Sequence, residues 1–210
     1  MRPAIIGITG RSGSGKTTLV HKIVENLGQN NLAVHSLDDY YLKRNEQIKD
    51  DTGYLNFDLP SSFDREVYFQ NLLLLMKGEI LEIVEYSYNE ADKTKSKLIL
   101  PAPIILVEGL FINHFSEIDD LIDYNIYVKL DKPSCYERRL YRDTHKRNYE
   151  ESEVYHRFNQ HAEPAYLEFI TPYEPKSDLI LINDCDYDNN INFHNLISLL
   201  SSFIKKRGEL

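Results

Sequence analysis

A glycine-rich segment near the amino terminus has the composition of a phosphate-binding loop. Residues 10–17 fit the pattern G-x-x-x-x-G-K-[ST] at every position. In such a loop the glycines let backbone N–H groups converge on phosphate oxygens, the lysine faces the β- and γ-phosphates, and the threonine hydroxyl binds Mg²⁺. The segment therefore predicts a site for Mg²⁺ and ATP, or GTP, formed by Gly10, Ser12, Gly13, Ser14, Gly15, Lys16, Thr17 and Thr18.

Three carboxylates follow apolar runs that have the composition of buried strands. Glu108 follows Ile104–Val107, and Asp38 and Asp39 follow the run that begins at Leu32. Ligands gather at the carboxyl ends of the strands in a doubly wound sheet. There, Glu108 is a candidate ligand of Mg²⁺ or its water, and Asp38 or Asp39 is a candidate acceptor for the proton of an attacking hydroxyl. The spacing alone does not separate Asp38 from Asp39, and helix capping is the alternative role for either.

Short apolar runs alternate along the chain with longer amphipathic ones, which predicts an α/β fold. The apolar runs lack polar alternation, so we expect strands covered on both faces, in a mostly parallel five-stranded sheet with helices on both sides. The predicted strands are Pro3–Thr9, Leu32–Leu37, Ile104–Val107, Asn125–Leu130 and Leu179–Ile182. The predicted helices are Lys16–Leu27, Ser62–Lys77, Pro133–Lys146, Glu150–Ile170 and Ile191–Lys206, with Gly28 as a C-cap and Pro133 in a first turn.

One segment interrupts this rhythm. Glu79–Tyr88 and Lys95–Leu100 are both strand-like, with a polar stretch between them, and this predicts a β-hairpin added to the parallel sheet. No repeat or linker divides the sequence, so we expect a single domain over residues 1–210, in which the insertion spans residues 79–101.

Composition narrows the class of partner. The 210 residues carry a net charge of −9, which argues against nucleic acid as the main partner because phosphate backbones need a basic surface. No apolar run is long enough to cross a bilayer, and two cysteines indicate no disulfide framework, so we expect a cytoplasmic protein without a membrane partner. The exception to the acidic balance is a basic cluster formed by Arg138, Arg139, Arg142, Lys146 and Arg147.

Two other patterns are assigned no function. Residues 50–53, Asp-Asp-Thr-Gly, fit the D-x-x-G pattern of GTPases, but they follow no apolar strand, and the chain has no Asn-Lys-x-Asp segment. His156 and His161 are five residues apart and are not expected to share a helix face. The sequence therefore predicts no histidine metal site.

Several motifs in a fixed order resemble the uridine kinase group of the uridine kinase and phosphoribulokinase family, over nearly the whole chain. After the phosphate loop come Asp38-Asp39-Tyr40-Tyr41, Asn56-Phe57-Asp58-x-Pro60-x-x-Phe63-Asp64, Glu108-Gly109, Arg139-x-x-Arg142-Asp143, Glu163-Pro164-Ala165-Tyr166 and Phe169-Ile170-x-Pro172. This resemblance implies a P-loop NTPase fold and ATP-dependent phosphorylation of a ribonucleoside 5′-hydroxyl, with uridine or cytidine as the acceptor. Members of the group are often homo-oligomers, and the sequence itself neither supports nor opposes such assembly.

The resemblance also implies roles for individual residues. It implies that Asp38 is the general base and that Asp38, Thr17 and Glu108 lie next to the metal. It also implies catalytic roles for Lys16, Arg139 and Arg142. Residues 138–157 become a lid over the phosphates, with Arg147 on the nucleotide. The residues implied for the acceptor are Asp58, on the ribose hydroxyls, and Tyr86, Tyr88, Arg139 and Arg157.

Three positions depart from the pattern of this group. Ala91 replaces a histidine that hydrogen-bonds the pyrimidine, Tyr149 replaces the second arginine of the lid, and Arg157 replaces a glutamine beside the ribose. Losing a polar contact to a substrate relaxes selectivity. Two alternatives therefore stay open: a related kinase of the nicotinamide riboside, phosphoribulose, glycerate or pantothenate type, and a nucleotide-binding protein that has lost catalysis.

Overall fold

The computed structural model describes residues 2–87 and 95–208, and its centre is a five-stranded parallel sheet. The spatial order of the strands is β2-β5-β1-β6-β7, and every neighbouring pair is parallel. This confirms the predicted sheet, with bounds that differ from the prediction by at most one residue at each end. The sheet strands are β1 (Ala4–Gly10), β2 (Leu32–Ser36), β5 (Ile104–Glu108), β6 (Tyr124–Lys129) and β7 (Leu179–Ile182), and the two remaining strands are β3 (Leu81–Val84) and β4 (Ser96–Ile99).

The register of the sheet aligns the strand ends that carry the candidate site. Ile8 of β1 and Ser36 of β2 both pair with Glu108 at the end of β5, and Gly10 pairs with Val128 of β6. The glycine-rich loop, the Asp38 turn and Glu108 therefore leave the sheet at one edge, as expected for the carboxyl ends of parallel strands.

Helices cover both faces of the sheet. Their bounds are α1 (Lys16–Leu27), α2 (Arg65–Met76), α3 (Ser116–Asp119), α4 (Lys132–Arg147), α5 (Glu151–Arg157), α6 (Glu163–Ala165) and α7 (Ile191–Gly208). Successive residues of a strand face opposite sides, so Ile5 packs into one core cluster and Ile6 and Ile8 into another. The first cluster includes side chains of α2, and the second includes side chains of α1 and α7.

Local capping explains where the long helices begin and end. The helix predicted from Ser62 begins at Arg65 instead, because the Asp64 carboxylate accepts a hydrogen bond from the N–H of Val67. Helix α4 begins after Asp131, whose carboxylate accepts from the Ser134 N–H, and Gly28 caps α1 as predicted.

The predicted helix Glu150–Ile170 is helical from Glu151 to Ile170, but its turns are not uniform. Widened π-helical turns span Phe158–Ala162 and Tyr166–Ile170, on either side of α6. Pro164 has no N–H to donate along the helix, and a widened turn is one way to absorb that loss. The prediction that His156 and His161 do not share a helix face was wrong, because the first wide turn brings their ring centroids to 5.5 Å.

The predicted hairpin is present as β3 and β4, which pair antiparallel from Leu81 with Ile99 to Val84 with Ser96. Its inner face is apolar and belongs to the first core cluster, which fixes the hairpin against the sheet. In the described part of the chain, no helix combines the length and apolar character that spanning a membrane requires.

Candidate active site

The glycine-rich loop adopts a conformation that side chains would block. Gly13 has φ of +85°, and a Cβ there would lie 2.3 Å from the carbonyl oxygen of Cys135; Gly15 has φ of +101°. The Asn183 amide donates a 2.7 Å hydrogen bond to the carbonyl oxygen of Ser14 and so helps to fix the backbone of the loop. Asn183 follows β7, and no sequence motif marked it.

Lys16 points back across the loop. Its Nζ donates to the carbonyl oxygens of Gly10 and Arg11, at 3.1 and 3.3 Å. Burial lowers the pKa of Lys16, and the nearby carboxylates of Glu108 and Asp38 oppose that effect. The ammonium group is therefore near Glu108 and Asp38, two of the three acids that the sequence placed at the strand ends.

The helical run after α5 also contacts the loop. The Arg11 guanidinium pairs with the carboxylate of Glu163 and lies 3.7 Å from the ring centroid of Tyr166. The Glu163–Tyr166 motif thus has a structural role, since it packs the first variable residue of the phosphate loop.

Glu108 is a buried acid with one oxygen still available. The Ser36 hydroxyl donates to its Oε1 at 3.0 Å, whereas Oε2 has no hydrogen-bond partner in the described part of the chain. Burial, together with the charge of Asp38, raises the pKa of Glu108 to about 7, against the opposing effect of Lys16. A buried carboxylate oxygen without a partner, in a cavity that Thr17 also lines, fits the oxygen donors that Mg²⁺ prefers.

The two neighbouring aspartates after β2 have different environments. Asp39 pairs with Lys97 of the hairpin, with Nζ and Oδ2 2.8 Å apart, and burial raises its pKa against the effect of that lysine. Asp38 instead lines the large cavity above the phosphate loop. The structure therefore separates two acids that their spacing in the sequence could not.

Arg139 and Asp58 form a buried ion pair. Both guanidinium Nη atoms donate to the Asp58 carboxylate at 2.9 Å, and one also lies 3.3 Å from the Ser12 hydroxyl. Burial lowers the pKa of Arg139, but Asp58 and Asp143 more than compensate and raise it overall. A bidentate contact of this kind fixes the positions of both groups.

Asp143 joins the arginines of α4. Its carboxylate lies 3.3 Å from Arg139 Nε, 2.8 Å from Arg142 Nε and 3.1 Å from Arg147 Nη1. Burial raises the pKa of Asp143, but the three guanidinium groups outweigh this effect and lower it. The sequence assigned no role to this acid, although the four-residue spacing to Arg139 and Arg147 was a usable signal.

These groups surround one open cavity of about 950 Å³. Three of the predicted site residues that the structure describes, Gly10, Ser14 and Tyr86, do not line this cavity. The predicted site residues that line it are Ser12, Gly13, Gly15, Lys16, Thr17, Thr18, Asp38, Asp58, Glu108, Arg139, Arg142, Arg147 and Arg157.

Aromatic side chains lie beside Asp58 in this cavity. The ring centroids of Tyr41 and Phe57, which both line the cavity, are 5.9 Å apart, and Tyr86 lies 5.2 Å from Tyr41. Tyr86 is thus one ring removed from the cavity. Tyr88 and Ala91 are outside the described residues.

Two departures from the resembled pattern contact each other. The Arg157 guanidinium lies 4.8 Å from the ring centroid of Tyr149 and 5.6 Å from that of Phe57, and Glu153 pairs with it at 2.7 Å. These three side chains contact the guanidinium, which adds a buried cation to the wall of the cavity.

Comparisons with known proteins point to one family of kinases. The sequence pattern of the "Phosphoribulokinase / Uridine kinase family" matches residues 5–188. A uridine kinase from Staphylococcus aureus is 34% identical over 180 residues, which cover 84% of this chain and 86% of the relative.

Two solved structures share the fold. A structure described as a possible uridine kinase from Bacillus stearothermophilus has a TM-score of 0.61 at 18% identity, over 86% of this chain and 89% of that chain. A D-glycerate 3-kinase from Cryptococcus neoformans var. grubii has a TM-score of 0.54 at 18% identity, over 79% of this chain and 78% of that chain.

Proposed function

Because the chain belongs to the phosphoribulokinase / uridine kinase family, and is thus a phosphotransferase with a P-loop kinase fold, we propose that it phosphorylates the 5′-hydroxyl of a ribonucleoside with ATP. Uridine and cytidine are the proposed acceptors, since the curated relatives at 28–34% identity are named uridine kinases. The observation that carries the proposal is that Asp38 lines the same cavity as Lys16 and Thr17. One cavity therefore holds a phosphate loop and an acid able to take a proton.

The triphosphate binds along the glycine-rich loop. Backbone N–H groups at the start of α1 and the Lys16 ammonium face its oxygens, as the motif requires. Thr17 and Glu108 would hold Mg²⁺, with Asp38 beside them, and the bound ion would supply positive charge for the phosphate oxygens. Glu108 takes part in its ionised form, and an adjacent cation favours that form.

Asp38 accepts the proton of the acceptor hydroxyl as its oxygen attacks the γ-phosphorus. Arg139 and Arg142 line the same cavity as this acid, and their guanidinium groups stabilise the charge that spreads over the transferred phosphoryl oxygens. A positioned arginine contributes about 10³–10⁵ in rate to such transfers. Arg147 extends the same basic surface towards the nucleotide.

The acceptor end is assigned to Asp58 and the surrounding aromatic side chains. Asp58 is held by Arg139 at a fixed position, so it can accept hydrogen bonds from ribose hydroxyls without reorganising. Phe57 and Tyr41 offer ring faces and edges to the base, with Tyr86 behind them. Tyr88 keeps the base-binding role that the resemblance implies.

The test pairs an acceptor screen with matched aspartate variants. ADP release with Mg²⁺ and ATP is measured against uridine, cytidine, other nucleosides and small sugar alcohols. We expect pyrimidine nucleosides to respond, and Asp38→Asn to lower kcat by about 10²–10⁴ while ATP affinity stays nearly unchanged. Asp39→Asn, which alters the neighbouring acid outside the cavity, should retain most of the turnover. Near-normal turnover in Asp38→Asn would remove this residue from the role of base.

Arg157 favours one alternative acceptor. A buried guanidinium at the acceptor wall suits a small alcohol that carries an anionic group, as in phosphoribulose or glycerate kinases. In the same screen, a response to an anionic alcohol and none to nucleosides would replace the nucleoside assignment. ATP binding without any acceptor-dependent ADP release would instead indicate a protein that binds nucleotide without catalysis.

A further inference from the structure

One group of side chains away from the kinase cavity combines two imidazoles and a carboxylate. Asp50, His156 and His161 each present one donor atom, and these three atoms lie within 4.8 Å of one another. Both imidazole Nε2 atoms are 2.7 Å from the same oxygen, Asp50 Oδ2. Two rings aimed at a single oxygen from different turns of a helix form a concave set of donors.

The backbone creates this set in two separate segments. Asp50 lies in a tight turn closed by the bridge between Lys49 and Leu55, and its Oδ1 accepts from the N–H groups of Thr52 and Tyr54 at 2.9 Å. Those bonds fix the carboxylate and leave Oδ2 facing the rings. The rings come from α5 and from the π-helical turn that follows it. A π turn has more residues per turn than an α-helix, which lets positions five apart share a face.

We propose that Asp50, His156 and His161 form a binding site for a divalent transition-metal ion of the zinc class. Two imidazole nitrogens and one carboxylate oxygen are the ligand types that such ions take, with a fourth position left to water. At metal–ligand distances of about 2.0–2.2 Å, tetrahedral donors are about 3.3 Å apart. The observed 2.7 Å contacts therefore need to open by only about half an ångström to admit the ion.

The imidazole contacts leave His161 able to bind through Nε2. The buried Nδ1 atom of His161 has no hydrogen-bond partner in the described part of the chain. Both Nε2 atoms contact Asp50 Oδ2, and binding of the ion displaces their protons, because imidazole ligands bind a metal in the neutral form.

Space for the fourth ligand is present beside the cluster. An open cavity of about 360 Å³ is lined by the three proposed ligands and by Asp51, Thr52 and Gln160. A water in this cavity completes the coordination and reaches polar side chains on its far side. The ion would also connect the segment that leads to Asp58 with the helix that carries Arg157, two residues assigned to the acceptor.

The experiment titrates the purified protein with Co²⁺ and Zn²⁺ in excess Mg²⁺, without nucleotide or acceptor. Bound Co²⁺ is read from its visible absorption, which reports low-coordinate nitrogen and oxygen ligands, and Zn²⁺ is read from competition with that signal and from the rise in Tm. The variants are His156→Ala, at the more exposed ring, and Asp50→Asn, with His194→Ala at a remote exposed histidine as the control.

The expected result is one equivalent of Co²⁺ for the wild type and His194→Ala. Loss of a direct ligand should weaken binding by about tenfold or more in His156→Ala and Asp50→Asn, since loss of outer partners alone costs that much. Equal Co²⁺ affinity in wild type and His156→Ala, or no absorption change in folded wild type, would overturn the proposal. Because kinase substrates are absent from the assay, either outcome is independent of the proposed phosphotransferase activity.

Discussion

Glu108 provides the sharpest test of the electrostatics of the site. It is 4% exposed, and burial with the nearby charge of Asp38 raises its pKa from the 4.5 of a solvated glutamate to about 7. Between these pH values the folded protein holds a proton that the unfolded chain has released. Stability of the metal-free protein therefore falls as pH rises from below 4.5 to above 7.

The size of this effect follows from the pKa difference. A rise from 4.5 to about 7 at about 1.4 kcal/mol per pKa unit amounts to about 3 kcal/mol. Most of this, about 2–3 kcal/mol, is lost between pH 5 and pH 8, where the unfolded glutamate is already mostly ionised. Glu108→Gln abolishes the titration, so its stability relative to the wild type should improve by that amount over the same pH range.

The assay is urea denaturation in EDTA at several pH values between 5 and 8. Taking the difference between Glu108→Gln and wild type cancels the other titrating groups, and any constant cost of the amide shifts all points equally. Glu82→Gln, on the exposed face of β3, is the matched control and should give a flat difference. A flat difference for Glu108→Gln as well would refute the assignment of Glu108 as a buried, proton-binding acid.

Three other substitutions test the packing around the cavity by urea denaturation. Gly13→Ala should cost about 1–3 kcal/mol and weaken ATP binding in calorimetry, because its φ is +85° and the Cys135 oxygen lies 2.3 Å from the new Cβ. Asp58→Asn should cost about 3 kcal/mol, since among the described residues it leaves the buried Arg139 charge with Asp143 as its one ionic partner. Asp143→Asn should destabilise the protein less at high salt than at low salt, because salt screens the repulsion among the guanidinium groups that lose this carboxylate. Unchanged stability in either aspartate variant would contradict the ion-pair geometry.

Local patterns predicted most of the fold because each depends on residues near one another in the chain. Continuous apolar runs marked the five parallel strands. The start of α2 shows the limit of boundary prediction: the helix begins at residue 65 and not at residue 62, because Asp64 caps it. The glycine-rich motif was likewise readable because its function depends on eight consecutive residues. The widened turns after α5 were not readable, because helical periodicity does not indicate where a π turn occurs.

The sequence by itself determined the sheet, the phosphate loop and the acids at the strand ends. Spacing alone left Asp38 and Asp39 equivalent, and only the resemblance favoured Asp38. The tertiary structure gives the two acids different environments, because the lysine that pairs with Asp39 lies 58 residues away on the hairpin. It also brought Asp50 to two histidines more than 100 residues further along the chain. Contacts of this kind depend on side chains that meet after folding, and no spacing within a single helix or strand encodes them.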